Sequence, residues 1–225
     1  MNKQQNHYNE TYFLEHYGEL ITDEARYQLL AQFWSHTLFE PLAEFERLDE
    51  MKILDYGCGT GVVSAALKNV TGFDLSPFAC EYLRRRGRQV FQNQEHIPCA
   101  DFDVLLCSHS LEHYTNPMET LVNFKKFMRQ NGFLLLVLPI EADFSPTIKP
   151  DNNQHLYGWT FQSVTNLLLV AGWRPLHAKK VYGPFLLTTL GRILPARTAV
   201  RMAHFLGRWK RGFPSMLVLA QAKTQ

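Results

Sequence analysis

The chain has 225 residues, 46% of them hydrophobic and 20% charged, which is the composition of one medium-sized globular domain. It contains no uncharged apolar run near the roughly 20 residues that a membrane span requires, so we expect no transmembrane helix. Its four cysteines are scattered without a Cys-x-x-Cys pair, so we expect no disulfide framework or zinc cage and predict a cytoplasmic protein. The net charge of +2 hides an asymmetry, because every acidic residue lies at or before Asp151 whereas residues 152–225 carry ten basic residues, which indicates a basic face.

Residues 1–50 are predicted to be helical. One helix begins after Thr22, its predicted N-cap, and covers residues 23–34. Its apolar face consists of Leu29, Leu30, Phe33 and Trp34. Pro41 interrupts the pattern, and a second short helix is expected after it.

From Met51 onward, predicted strands alternate with predicted helices. The strands cover residues 52–56, 70–74, 89–92, 102–107, 133–138, 173–181 and 215–222. The helices cover residues 77–86, 117–130 and 160–171, the second ending at Asn131-Gly132 and the third at Gly172. Residues 140–158 form a polar loop. This alternation predicts an α/β fold with a Rossmann-like, doubly wound sheet whose sites lie at the carboxyl ends of the strands.

A glycine-rich turn follows the first of these strands. Gly57, Gly59 and Gly61 allow the backbone to turn tightly and a ligand to approach it closely, although such a turn can also bind nothing. Asp74 ends the next strand, where a carboxylate can accept both hydroxyls of a ribose. A dinucleotide fingerprint would place its third glycine at position 62, which is valine here, so a different nucleotide cofactor is favoured over NAD.

The run Asp55-x-Gly-x-Gly-x-Gly resembles motif I of the class I S-adenosylmethionine-dependent methyltransferases, in which the acid and the loop amides hold the methionine part of the cofactor. The resemblance covers residues 51–182 and includes a ribose-binding turn at residues 70–77. It also includes an adenine-binding segment at residues 93–98, which opens with asparagine where the family usually has aspartate. Only residues 62–69 separate the loop from the second strand, so we expect the first helix to be short.

The resemblance implies S-adenosylmethionine as the cofactor and a mostly parallel sheet with a final antiparallel strand. The implied cofactor-binding residues are Asp55, Gly57, Cys58, Gly59, Asp74, Leu75, Asn93, Gln94 and Ser108. Residues 1–50 would form a helical N-terminal lid, residues 51–182 the Rossmann-like core, residues 183–214 a basic helical insertion and residues 215–222 the last strand, all within one domain.

The segment Leu111-Glu-His-Tyr-Thr-Asn-Pro117 is similar to a stretch of the ubiquinone-type O-methyltransferases and many small-molecule relatives. Three interpretations of its polar residues remain open. Glu112 and His113 can simply cap or pair within the loop, or His109 or His113 can act as the general base for a hydroxyl nucleophile. In the third interpretation they bind a divalent ion. Some relatives use two glutamates and a histidine here, but histidine stands at 109 in place of the first glutamate, so we predict no metal and favour His109 as the base.

Two aromatic segments are further candidates for the acceptor site. His155-Leu-Tyr-Gly-Trp-Thr160 resembles a stretch that lies beside the acceptor pocket in these relatives, which makes His155 and Tyr157 candidates, although Thr160 also suits a helix N-cap. Near the N-terminus, an aromatic cluster resembles the family's lid, with plain packing as the alternative: Tyr8, Tyr12, Phe13 and Tyr17.

The basic segment at residues 183–214 includes a predicted helix over residues 196–210 with arginines on one face. It can be a solvated helix, a lid over a small or lipid-like acceptor, a membrane-surface contact or a nucleic-acid contact. We rank a lid over a small or lipid-like acceptor first. Nucleic acid ranks lower, because the chain lacks the Asn/Asp-Pro-Pro-Tyr loop of base-methylating enzymes.

We therefore predict transfer of a methyl group by in-line displacement to a small-molecule acceptor, anionic or lipid-like, at oxygen. An RNA methyltransferase and a cofactor-binding but non-catalytic partner protein are the alternatives.

Overall fold

The computed structural model describes residues 8–42, 48–140, 153–210 and 214–222. The described residues form helices α1 (Glu10–Thr22), α2 (Glu24–Leu38), α3 (Pro77–Arg85), α4 (Pro117–Phe124), α5 (Phe161–Val170), α6 (Leu187–Ile193) and α7 (Ala196–Lys210). They also form strands β1 (Ile53–Tyr56), β2 (Val70–Phe73), β3 (Gln89–Phe91), β4 (Phe102–Ser108), β5 (Met128–Pro139), β6 (Trp173–Tyr182) and β7 (Pro214–Ala222).

The seven strands form one sheet in the order β3-β2-β1-β4-β5-β7-β6. β3, β2, β1, β4 and β5 pair in parallel, and β7 runs antiparallel to both of its neighbours. Ile53 of β1 is aligned with Val70 of β2 on one side and with Val104 of β4 on the other. The chain leaves β1 in one direction and returns on its other side as β4, so the strand order reverses at this point. The predicted α/β fold, with a final antiparallel strand, is confirmed.

Successive residues of the central strands pack into separate cores on the two faces of the sheet. In β5, Leu134, Leu136 and Leu138 belong to a core that includes residues of α4 and α5. Leu135 and Val137 belong to a second core that includes the end of α2. Because both faces are covered, the strand needs apolar side chains at nearly every position.

Most helix starts follow local capping chemistry. Ser76 accepts a hydrogen bond from Ala79 N, and Pro77 occupies the first turn of α3. Thr160 caps α5 in a capping box with Ser163. The predicted cap of α2 is corrected: Asp23 accepts from Arg26 N, whereas Thr22 is the last residue of α1.

One predicted element differs in the structure, and two others fall largely outside the described residues. Residues 62–69 form a series of turns, where a short helix was expected. After Pro41 the structure shows the end of a 3₁₀ turn, Glu40–Leu42, and the expected second helix falls largely on residues 43–47, outside the described residues. The polar loop predicted at residues 140–158 is described only at residue 140 and from residue 153 onward.

A further correction concerns α4, which ends at Phe124 and not near Gln130. Met128 pairs with Phe102 of β4 and is buried, so the chain has already entered β5. Asn131 has a positive φ of 62° within β5, where the register with β4 shifts. Burial of Met128 in the sheet outweighs the local helical pattern.

The basic segment folds as α6 and α7, which pack against α2. Phe33 of α2 shares a small core with Leu187 and Leu190 of α6 and with Ala199 and Ala203 of α7. Among the described residues, no helix is both long enough and apolar enough to cross a membrane.

Candidate functional site

A cavity of about 390 Å³ opens where β1, β2 and β4 end, at the point where the strand order reverses. This is the position at which doubly wound sheets bind their ligands, and the volume lies in the range of small-molecule sites. Three loops line it, from Gly57 to Thr60, from Asp74 to Ser76 and from Ser108 to Ser110. Tyr8, which precedes α1, and residues of α1 and α2 complete the wall: Tyr12, Phe13, Tyr17, Leu20, Leu30 and Trp34.

The glycine loop after β1 is held in a conformation that favours glycine. Gly57, Gly59 and Gly61 have φ values of 77°, 51° and 69°. The amides of Gly57 and Cys58 both donate to Phe73 O, at 2.8 and 3.0 Å, which ties the loop to the end of β2. A Cβ atom at Gly57 would overlap Ser110 Oγ, so this position needs glycine for space as well as for conformation.

Asp74 lies at the cavity wall directly after β2. Its Oδ2 accepts from Gly59 N at 2.8 Å and its Oδ1 accepts from Ser76 N at 2.8 Å. Burial raises the pKa of this carboxyl, and the backbone hydrogen bonds oppose that shift. A carboxylate has about four acceptor positions, so both oxygens retain capacity for a ligand's hydroxyl groups.

Asp55 lies beneath the loop and not in the cavity wall. Its side chain is buried, and Ser64 Oγ donates to its Oδ2 at 2.6 Å. Burial raises the pKa of Asp55 to about 6, and the hydrogen bond from Ser64 opposes that shift. The carboxyl therefore contacts the turn that follows the loop. Cys58, by contrast, lines the cavity, and burial raises the pKa of its thiol.

Asn93 and Gln94 line a second cavity that adjoins the first. The two cavities share Phe73, Leu75 and Tyr114 in their walls. Asn93 Oδ1 accepts from Glu95 N at 3.0 Å, and Gln94 Oε1 accepts from Tyr56 OH at 2.8 Å. The side-chain amide groups are thus oriented by the protein.

His109 follows β4 with a left-handed backbone, at a φ of 48°, and lines the first cavity. Its Nε2 lies 3.1 Å from Ser215 Oγ at the start of β7, and its Nδ1 lies 3.7 Å from Glu112 Oε1. Loss of solvation lowers the pKa of the imidazole to about 4, with smaller contributions from His155 and His113. His109 is therefore neutral at physiological pH.

His113, Glu112 and His155 lie together beside this residue. His113 lines the cavity, and its Nδ1 is 3.0 Å from Tyr8 OH. Glu112 is fully buried, and its Oε1 is 3.9 Å from His155 Nε2. One ligand atom from each of these three residues lies within 4.8 Å of the others, an arrangement that can hold a metal ion. The prediction that no metal is used therefore stays a prediction.

Tyr157 does not itself line any of the three cavities, although it contacts the residue that follows Tyr114. Its hydroxyl donates to Thr115 O at 2.9 Å, and its ring stacks on Trp159 with centroids 5.4 Å apart. The ring of His155 packs against the ring of His113, with centroids 4.9 Å apart. The segment at residues 155–160 thus supports the loop after β4.

The N-terminal aromatic residues form the wall opposite the loops. Phe13 is buried and stacks on Phe78 of α3, and Ser76 Oγ donates to Tyr8 O at 2.7 Å. Burial raises the pKa of Tyr12 to about 12, and it also raises the pKa values of Tyr8 and Tyr17. All three hydroxyls are protonated at neutral pH.

Several residues at the site were missed by the sequence prediction. Ser110 restricts position 57, Trp34 and Leu30 contribute to the wall from α2, and Ser215 contacts His109 from β7. The apolar face of α2 was predicted, but nothing in its pattern distinguishes core packing from a cavity wall. No local signal marks Ser215.

A third cavity, of about 550 Å³, lies between α1 and the start of α6. It shares Tyr17, Leu20 and Leu30 with the first cavity, so the two adjoin through α1 and α2. Its outer wall includes Pro184, Leu187 and Thr188. The site therefore has a neighbouring space on the side of the basic segment.

Comparison with known proteins matches the part of the chain that contains the glycine loop and Asp74. Residues 54–136 match the family model of a methyltransferase domain. A ubiquinone biosynthesis O-methyltransferase from Rickettsia conorii is 29% identical over 154 residues, which cover 58% of this chain and 53% of that protein. The chain spans about half the length of the curated relatives it matches.

Solved structures share the fold at lower identity. The 1,6-didemethyltoxoflavin-N1-methyltransferase of Burkholderia thailandensis, solved with 1,6-didemethyltoxoflavin and S-adenosylhomocysteine, aligns with a TM-score of 0.60 and 19% identity, covering 95% of this chain and 87% of that one. The cyclase SpnF aligns with a TM-score of 0.57 and 16% identity, covering 87% of this chain and 80% of that one. One fold thus includes a methyltransferase and a cyclase.

Proposed function

We propose that this chain, which carries a class I S-adenosylmethionine-dependent methyltransferase domain, transfers a methyl group from S-adenosylmethionine to an oxygen atom of a small-molecule acceptor. One observation carries the proposal: the neutral imidazole of His109 opens to the same cavity as the glycine loop and Asp74. A glycine loop suited to a nucleotide and a proton acceptor therefore line one cavity.

The residues present fit the cofactor. When bound, S-adenosylmethionine supplies a methyl group that its sulfonium has already activated. Asp74 would accept the ribose hydroxyls, and the loop at Gly57–Gly59, where a side chain at position 57 would overlap Ser110, would lie against the ligand. Asn93 and Gln94 would present amide groups to the adenine in the adjoining cavity.

His109 would remove the proton of the acceptor hydroxyl. If Nε2–H donates to Ser215 Oγ, then Nδ1 carries the lone pair. Glu112 Oε1, at 3.7 Å, would stabilise the proton that Nδ1 receives. His113, held by Tyr8, is a second candidate for the same role, and His155 would orient the pair from behind.

The acceptor would enter from the side of α1 and α6. The aromatic wall of Tyr12, Phe13 and Tyr17 would limit the access of water to a bound cofactor, which would favour group transfer over hydrolysis. The neighbouring space beside Leu187 and Thr188 can accommodate a longer apolar portion of an acceptor. These walls support a small or lipid-like molecule.

A metal-assisted reaction is the second candidate, because Glu112, His113 and His155 present ligand atoms close together. Dialysis against a chelator separates the two. Under the general-base proposal the treated protein keeps its full activity. A loss that added magnesium or zinc restores would assign the three residues to a metal and would replace His109 as the main catalytic group.

The proposal is tested by incubating the chain with methyl-labelled S-adenosylmethionine and a fractionated cell extract. We expect label in a fraction of low-molecular-mass compounds. Label confined to the RNA fraction would favour the RNA methyltransferase, and label in no fraction despite binding of S-adenosylhomocysteine would favour a non-catalytic partner protein. Binding of NAD in place of S-adenosylhomocysteine would reject the cofactor assignment.

A further inference from the structure

Helix α7 exposes an apolar stripe on the side opposite its packed face. Ala199, Val200, Ala203 and Gly207 are buried against the rest of the protein. On the other side, Met202, Phe205 and Trp209 are 41%, 70% and 77% exposed. They recur at helical spacing, so they form one continuous strip and not isolated surface contacts.

Arginines lie directly beside this strip. Arg197, Arg201 and Arg208 are exposed and occupy neighbouring helical positions, on one edge of the apolar residues. No acidic residue occurs in α7 or anywhere after Asp151. Across the described ranges, none of these three arginines has an ion-pair partner, whereas Arg85 and Arg129 elsewhere do. The positive charge of the three arginines is therefore not neutralised by any described acidic residue.

The same character continues into α6. Arg192 and Ile193 are exposed at its end, and Ile193 is 72% exposed. Lys210, at the end of α7, lies with its Nζ 5.9 Å from the centre of the Phe185 ring. The end of α6 thus adds an exposed cation and an exposed aliphatic side chain to the same segment of the chain.

We propose that α7, with the end of α6, docks on the surface of a bilayer that contains anionic lipids. Phe205 and Trp209 would enter the interfacial region, where aromatic side chains are favoured, and the arginines would contact the headgroups. This inference goes beyond the proposed function and does not rest on it.

The chemistry of the strip favours a lipid surface over two other occupants. A nucleic acid would be recognised by the arginines, but it would leave the aliphatic Met202 and Ile193 without a suitable environment. A second copy of the chain packed symmetrically through this strip would bring two rows of arginines together, and like charges repel. An anionic bilayer offers an apolar environment to the strip and negatively charged headgroups to the arginines.

The proposal is tested by sedimentation of the full chain with vesicles, one set of phosphatidylcholine alone and the other of phosphatidylcholine mixed with phosphatidylglycerol. We expect binding to the mixed vesicles and little to the neutral ones. Each of Arg197→Gln, Arg201→Gln and Arg208→Gln should weaken the partition about fivefold. Phe205→Ser combined with Trp209→Ser should weaken it by about tenfold or more.

Two matched controls should have no effect on the partition. Val170→Ser changes an exposed apolar residue on α5, and Arg84→Gln changes an exposed cation on α3.

Trp209 also provides a spectroscopic readout, because Trp159 and Trp173 are buried and Trp34 is a half-buried residue in the wall of the first cavity. Its emission should shift to shorter wavelength on mixed vesicles, and Trp209→Phe should abolish the shift while binding persists. Equal partition into both vesicle types, or variants that bind as the wild type does, would overturn the proposal. The proposal would also be overturned if the chain bound no vesicles but bound RNA or formed a dimer, and these substitutions abolished that binding.

Discussion

His109 is the residue whose chemistry can be tested most specifically. A fully hydrated imidazole gains its proton near pH 6.5, but partial loss of solvation at the cavity wall lowers the pKa of His109 to about 4, although 46% of its side chain is exposed. Its ring should therefore remain neutral at about pH 5.5, where most histidines are charged. Nitrogen chemical shifts in NMR spectra would report this directly, and the His109→Gln variant would identify the resonance. A titration midpoint at or above 6.5 would contradict the environment described for His109.

Asp55 should make the folded chain less stable as the pH rises, because its pKa is raised by folding. Its pKa is raised from 3.8 to about 6 in the folded chain, so its contribution to stability is fully present below about pH 3.8 and is lost as the pH rises through about 6. Asp55→Asn retains an acceptor for Ser64 but cannot ionise. Between about pH 5 and about pH 7.5, the wild type should lose about 1 kcal/mol more of its free energy of unfolding than the variant does. Urea titrations at the two pH values measure the difference, and parallel losses in both proteins would contradict it.

At this scale, sequence reasoning works where the constraint is local. The three glycines and Asp74 could be predicted, because a tight turn after a strand limits which residues can occupy it. The contact between His109 and Ser215 joins residues 106 positions apart, and no local pattern encodes it. The positions of Asp55 and Tyr157 depend in the same way on packing that only the fold specifies.

The loop between β1 and β2 is the element whose geometry matters most for the site. Gly57→Ala should weaken binding of S-adenosylhomocysteine, because the added Cβ overlaps Ser110 Oγ and the φ of 77° strains any other residue. Adding Ser110→Gly removes the overlap but not the backbone strain. Calorimetry should therefore show partial recovery in the double variant relative to Gly57→Ala. Full recovery would show that backbone conformation does not matter here, and no recovery would show that the overlap does not.

Element boundaries were harder to predict than element types. The helical pattern after Pro117 continues to Gln130, but Met128 is buried in the sheet beside Phe102, so the helix ends early. The helix expected at residues 62–69 is replaced by turns, in which Ser64 contacts Asp55. By contrast, α7 has the predicted bounds, because no strand competes for its residues.

At the scale of the whole molecule, the fold places the site but does not identify the reaction. The sheet order brings the glycine loop, Asp74 and His109 to one cavity from three separate strands, a convergence expected from strand alternation. The shared architecture of a methyltransferase and the cyclase SpnF means that the acceptor and the chemistry depend on the residues around the cavity. Those residues come from the three loops and from α1 and α2, and sequence reasoning predicts their aromatic and apolar character but not that they meet at one cavity.

The most direct test separates cofactor binding from methyl transfer in one assay, with labelled S-adenosylmethionine and the acceptor fraction. His109→Gln should reduce transfer by about a hundredfold or more while S-adenosylhomocysteine binds within about twofold of the wild type. Asp74→Asn should weaken that binding at least about tenfold, because it loses charge-assisted hydrogen bonds. His177→Gln, a change at an exposed histidine of β6, should behave as the wild type. Transfer that persists unchanged in His109→Gln, or a wild type that binds the cofactor and methylates nothing, would contradict the proposal that this cavity is the site of methyl transfer.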